Sequence, residues 1–260
     1  MKLNNTYIVL DSGTLSQHTE WAQAHRAISD AIKAMRWPDQ ERVRTFKIPR
    51  SVSIPVGGQY TDELGQTKQV RDRKKTLRNG VRPLRDQFRN WMAKKKWTAE
   101  KPLSLIPYFE RLREKSAVVF AKYPQTDEKE EVAWNESVGD LDFWFKTDSG
   151  FRTVVEWETG NISSSHRSLN KMCLALMGNL ADAAVLVVPS KMLYKHLTDR
   201  IGNIRELQPY FYFWNRFGTL IEKGLLAVIE VEQDGLFESM DVRQFVPTGT
   251  DGNSRRALSE

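Results

Sequence analysis

The stretch Val154–Lys171, "VVEWETGNISSSHRSLNK", joins three kinds of chemistry in 18 residues. An apolar run ends in two carboxylates one residue apart, Glu156 and Glu158. Gly160 and Asn161 turn the chain. A polar stretch then opens a helix expected over about Ser164–Met177, with Leu169, Met172, Cys173 and Leu176 as its apolar face. Side chains alternate along a strand, so Glu156 and Glu158 face one way and Trp157 the other. Upstream, "VGDLDFWFKTDSGFRTVVEWETG" reads as a hairpin turning at Asp148-Ser149-Gly150. Its first strand carries Asp140 and Asp142. Downstream, "AAVLVVP" (Ala183–Pro189) is apolar throughout and reads as a strand buried on both faces. Residues 190–200 read as a helix capped by Ser190, and Leu225–Glu232 as a further strand. Hairpin, helix, buried strand, helix, strand is the order of an α/β domain with a mixed sheet.

Working outward, residues 15–36 read as an amphipathic helix ending at Trp37-Pro38. Residues 43–56 carry β-branched alternation, with Pro49 and Pro55 arguing for edges or loops. Residues 81–97 look helical, with Leu84, Phe88, Trp91 and Met92 on one face, and a further helix is expected after Pro107. Residues 125–137 read as an acidic connector. "KQVRDRKKTLR" (Lys68–Arg78) holds six basic residues against one acid. It reads either as a solvated surface segment or as a phosphate-contacting loop. Neither an internal repeat nor a clear linker divides the chain, so residues 1–260 are expected to form one domain, with a catalytic and recognition core at about 138–211 and a C-terminal arm at 246–260.

Composition narrows the function classes. The 40% apolar share, eight Trp and twelve Phe support a packed globular protein. A net charge of +6 leans toward an anionic partner such as nucleic acid. The single Cys173 excludes an intrachain disulfide and a multi-cysteine zinc site, and fits a reducing, cytoplasmic compartment. No apolar run approaches the roughly 18–20 residues that span a bilayer, so no membrane partner is expected.

Acids converging at a strand edge repel one another and call for a cation. With no His or Cys interleaved, the ligand set is all oxygen, which suits Mg2+. Such an ion polarises a phosphodiester and lowers the pKa of bound water. An Asp followed, a dozen or so residues on, by acid-x-(acid or Lys) on a hairpin is the PD-(D/E)xK nuclease pattern, with Glu158 at the usual Lys position. The same acids also read as an ordinary solvent face of an edge strand.

The continuation "EWETGNISSSHRSLNK" resembles the active-site and recognition segment of type II restriction endonucleases of the BamHI family, which cut GGATCC. The resemblance runs on through "LTDRIGNIRELQPYF" (Leu197–Phe211) and returns at "VPTGTDGNSRR" (Val246–Arg256). "NWM" (90–92), "EKPL" (100–103) and "GDLD" (139–142) also fit, with insertions between them. It implies a mixed sheet flanked by helices on both faces, a homodimer, and double-stranded DNA as partner. It places the metal and hydrolysis site on Asp142, Glu156 and Glu158, with Glu158 acting on the attacking water, and Glu100 as a further acid near the metal. Base reading falls on Asn161, Ser163, Arg167, Asp199 and Arg200, and minor-groove contacts on Gly249, Asp251 and Gly252. The chemistry agrees: Arg pairs with guanine, Asn with adenine, and Asp accepts from cytosine. Singly, Asn161 reads equally as a turn residue, Ser163 or Ser164 as a helix cap, and Asp199-Arg200 as a local ion pair.

The sequence departs from that family in three places. The N-terminal part is longer, and the basic 68–78 run has no counterpart. Met177 and Gly178 stand where a charged pair serves the family's dimer helix. The tail has Asn253 where the family carries Met. The leading expectation is a Mg2+-dependent, homodimeric endonuclease cutting at GGATCC or a related GATC-centred palindrome. The alternatives are a non-cleaving, sequence-specific DNA-binding protein on the same scaffold and a nuclease that reads DNA form.

Overall fold

Seven apolar residues in a row need cover on both sides, and Ala183–Pro189 receives it inside a six-stranded sheet, fully buried along its length. The computed structural model describes residues 1–38, 42–104, 137–198 and 201–248. Its strands are β1 (Lys2–Ser12), β2 (Lys47–Pro49), β3 (Val52–Ile54), β4 (Gln59–Thr61), β5 (Thr67–Gln69), β6 (Lys75–Leu77), β7 (Thr98–Ser104), β8 (Ser137–Lys146), β9 (Arg152–Trp157), β10 (Ala183–Pro189), β11 (Gly224–Glu232) and β12 (Gly235–Phe237). Its α-helices are α1 (Thr19–Ala34), α2 (Arg82–Lys94), α3 (Ile162–Met177), α4 (Lys191–Tyr194), α5 (Ile204–Leu207) and α6 (Phe211–Asn215).

The main sheet runs β1-β11-β10-β9-β8-β7. Strands β9, β10 and β11 are mutually parallel, while β1, β8 and β7 pair antiparallel with their neighbours, so the sheet is mixed as expected. Alternation deals the central side chains into two layers. Val155, Trp157, Val185, Val187, Ala227 and Ile229 pack with Ile28 and Ile32 of α1 and Phe88 and Met92 of α2. Val154, Ala184, Leu186, Val188, Leu226 and Val228 pack with Leu169, Met172, Cys173 and Leu176 of α3. Helices therefore cover both faces. Trp157 lies in the first layer, its ring centroid 4.8 Å from that of Phe88, on the face opposite its two acidic neighbours. Cys173 is 1% exposed, and burial pushes its thiol up to about 12.

Several elements differ from the sequence-based expectation. The helix expected over 15–36 divides into a 3-10 turn at Leu15–Gln17 and α1 from Thr19. The helix expected over 190–200 keeps its Ser190 cap, which accepts the Leu193 N–H at 3.0 Å, but α4 ends at Tyr194. The reason is competition for its backbone. Asn79 donates its N–H to the His196 carbonyl at 2.9 Å and accepts the Thr198 N–H at 2.6 Å, which draws Leu197 out of the helix into a bridge with Asn79. Strands β1 and β7 carry little signal of their own. β1 is weakly alternating, with only Val9 and Leu10 buried, and β7 contains Pro102 at the sheet's edge. The helix expected after Pro107, and the acidic connector up to residue 136, lie outside the described residues.

Residues 51–79 build a small module on the main body. β3 pairs with β6 and β4 with β5, and Ile54, Val70, Leu77 and Phe245 form its core. Asn79, fully buried, fastens the module at its root. Its side-chain amide donates to the carbonyls of Pro49 and His196, both at 2.9 Å, and its oxygen accepts the Val246 N–H at 3.1 Å. Gly80 then donates to Val246 O at 2.8 Å, so close that a Cβ here would run into the Pro247 carbonyl. Asn79→Ala removes the side-chain partner of the Pro49 carbonyl and the Val246 N–H, while the His196 carbonyl keeps the residue's backbone N–H. The substitution is expected to lower stability by about 1–3 kcal/mol, read as a lower urea midpoint at unchanged slope.

Candidate active site

Strands β8 and β9 stay paired as far as Phe143–Val155 and diverge at the next pair of positions, Asp142 and Glu156. There Asp142 Oδ2 accepts the Trp157 N–H at 2.8 Å, replacing the lost backbone rung with a side chain. On the other edge of β9, Glu156 lies level with Leu186 of β10, and the Glu158 N–H donates to Val187 O at 2.9 Å. Glu158 is thus held by the sheet although it lies just past the strand. Its Oε1 accepts the Gly160 N–H at 2.6 Å. Glu156 and Glu158 are only 9% and 5% exposed.

Burying two carboxylates beside a third carries a large electrostatic cost. Burial pushes the Glu156 carboxyl up to about 7, with the Asp142 charge adding to the rise and Lys171 opposing it. Burial likewise takes Glu158 to about 7, against the pull of the Ser165 hydroxyl and the Gly160 N–H. The cation that answers these charges is Lys171 of α3. Its ammonium pairs with Glu156 Oε1 and donates to the carbonyl of Asp140. Sequence reasoning misses Lys171. The available signal is a basic residue four after Arg167 on the helix that follows the acids. Asp140 itself is exposed and contributes its backbone rather than its carboxylate.

Glu100 belongs to β7. Ala99 lies opposite Phe143 and Lys101 opposite Leu141, so residue 100 falls across from Asp142. Its side chain lies outside the described residues. Among the described residues, no three His, Cys, Asp or Glu side chains close into a metal-holding group. The donor chemistry nevertheless suits a hard divalent ion. Asp142, Glu156 and Glu158 are all oxygen ligands, and the cluster already carries a bound positive charge in Lys171.

The residues expected to read bases cluster at the start of α3. Asn161 caps the helix, its Oδ1 accepting the Ser164 N–H at 3.1 Å. Asn161, Ser163 and Arg167 are exposed, and the last two, four apart, share a helix face. Asp199 and Arg200 lie outside the described residues, but the residues on either side of them are secured. Thr198 bonds to Asn79, Ile201 bridges Asn161, and the Gly202 N–H donates to Gly160 O at 3.2 Å. The fold therefore brings residue 201 beside residue 161 across forty positions of sequence. Gly249, Asp251 and Gly252 lie outside the described residues.

The Lys171 pair gives a direct test of this electrostatic account. Lys171→Met leaves Glu156 buried without its counter-charge. It is expected to destabilise the metal-free protein by about 3 kcal/mol, and Glu156→Gln in the same chain to recover some of the loss. A denaturant double-mutant cycle measures both.

Comparison with known proteins agrees with this arrangement. The family model described as "Restriction endonuclease BamHI" matches residues 1–253. The type II restriction enzyme OkrAI of Oceanobacter kriegii is 34% identical over 178 residues, covering 68% of this chain and 75% of that protein. The type II restriction enzyme BamHI of Bacillus amyloliquefaciens is 30% identical over 183 residues, 70% of this chain and 71% of that one. Among solved structures, restriction endonuclease BGLII complexed with a DNA 16-mer superposes with a TM-score of 0.51 at 11% identity, covering 90% of this chain and 79% of that chain, a likeness of fold. A match over nearly the whole chain, together with relatives at this level of identity, establishes that the chain belongs to the BamHI restriction endonuclease family.

Proposed function

We propose that this restriction endonuclease family member hydrolyses double-stranded DNA with Mg2+, as a homodimer, at a GATC-centred palindrome, GGATCC in the first instance. The observation that carries the reading is the junction at 156–161. The buried acids and the exposed start of α3 are joined by one short turn, and Glu158 accepts the Gly160 N–H inside that turn.

Asp142 and Glu156, with Glu100 from the facing strand, would hold the ion. When bound, Mg2+ supplies a Lewis acid for the scissile phosphate and a more acidic water. Glu158, buried and with its carboxyl raised to about 7, is suited to taking a proton from the attacking water near neutral pH. Lys171 pairs with Glu156 and offsets its charge. Asn161, Ser163 and Arg167, with Asp199 and Arg200, would read the bases of one half-site in the major groove. Two-fold symmetry then gives the palindrome. Gly249, Asp251 and Gly252 would reach the minor groove from the C-terminal arm. A non-cleaving DNA-binding protein on this scaffold has no need of the acids, and Asp142, Glu156 and Glu158 are all present.

A digest of plasmid DNA of known sequence with Mg2+, mapped at base resolution, decides the reading. Cuts at GGATCC are expected. Cuts at purine-GATC-pyrimidine sites would mean a relaxed outer pair, and cutting indifferent to GATC would overturn the specificity. Glu156→Ala is expected to abolish cleavage and leave DNA binding in place. Arg200→Ala is expected to weaken site-specific binding by about 1–3 kcal/mol, read by competition against a site-free duplex.

A further inference from the structure

The basic run at 68–78 is not used by the chemistry above, and its surroundings give it a role. Lys68 lies 3.7 Å from Asp62, and the Lys75 ammonium sits 4.4 Å over the Tyr60 ring, so these two cations are engaged within the module. Arg71, Arg73, Lys74 and Arg78 are exposed, and no ion pair or hydrogen bond ties them down among the described residues. Arg71, Arg73 and Lys74 form the turn between β5 and β6, with Val70 and Leu77 buried on either side as anchors. The tip is therefore a cluster of solvent-facing charge on a packed base.

That base is fastened to the segments expected to meet DNA. Ser51, where the module begins, donates its N–H to His196 Nδ1 at 3.2 Å. Asn79, where it ends, bridges Leu197, two residues before Asp199. Asn79 and Phe245 also hold the root of the C-terminal arm against the module. The module is thus bonded to the residues just before Asp199 and to the base of the arm. A phosphate backbone leaving the recognition site is the polyanion whose charge complements such a tip.

We propose that Arg71, Arg73, Lys74 and Arg78 form a second DNA contact that grips the phosphates of the duplex flanking the recognition site. The inference rests on the DNA-reading role given above. It assigns no base preference to the module, because its exposed cations offer charge to a repeating backbone.

The test uses the full-length chain in EDTA, where no cutting competes. Binding is followed by fluorescence anisotropy across a salt series. One duplex carries the mapped site with minimal ends, a second adds a helical turn of flank on each side, and a third is as long but lacks the site. Wild type is expected to bind the long site duplex more tightly than the short one, with a steeper salt dependence. The variant Arg71→Gln, Arg73→Gln, Lys74→Gln, Arg78→Gln is expected to lose that advantage. Its log–log salt slope on the long duplex should flatten by about 0.9 for each phosphate contact removed. Its affinity for the short duplex and its thermal midpoint should stay as in wild type, since the four side chains have no partners to lose. Equal flank dependence in variant and wild type would overturn the inference and leave the site-reading role standing. Loss of short-duplex binding in the variant would also overturn it, by placing these residues within the site. Wild type that prefers neither site duplex over the site-free one would overturn the DNA-reading role itself, and this inference with it.

Discussion

The rest of the structure is arranged around a buried carboxyl whose charge is costly to hold. Glu156 is held by its strand level with Leu186, inside a sheet covered on both faces, and is only 9% exposed. The nearby Asp142 is committed to the Trp157 amide. A charge in that position has to be met by an opposite one. Lys171 meets it from α3, which sets how the helix lies against the sheet. With Lys171 reaching back to the strand and Asn161 capping the first turn, the exposed positions 163 and 167 follow from helix geometry.

The polar surface beside the acids is assembled from sequence-distant pieces, and the bonds that assemble it are mostly main-chain. Gly202 meets Gly160, Ile201 bridges Asn161, Thr198 meets Asn79, and Gly80 meets Val246. Bonds of this kind are indifferent to the side chains presented outward. Arg167 or Ser163, both exposed, can be exchanged without loosening the frame. The side chain on which the frame does rely is that of Asn79, which is buried and offers nothing to a ligand.

Much of this was legible in the sequence because it rests on short-range regularities. The hairpin turning at Gly150, the doubly buried β10, the Ser190 cap and the inward Trp157 follow from alternation, turn chemistry and capping. The acids at 142, 156 and 158 were legible for the same reason, and the fold brings them to the end of one pair of strands. What escaped depended on distant partners. β1 forms because β11 offers it an edge, a fact absent from its own weakly alternating residues. The helix expected over 190–200 stops early because Asn79, more than a hundred positions upstream, claims its backbone. Lys171 carries no sign of its partner, because Glu156 comes beneath it only when α3 packs on the sheet.

The lone thiol acquires a use from its position. Cys173 lies on α3 two residues beyond Lys171, packed among Leu186, Leu226 and Met172. Attack on an alkylating reagent needs the thiolate, and burial both covers this sulfur and holds its proton. It becomes reactive only when α3 lifts from the sheet, which is the same movement that would carry Lys171 away from Glu156. The chain therefore contains a single-site chemical clock for that opening, with no engineered label and no second cysteine to confuse the reading.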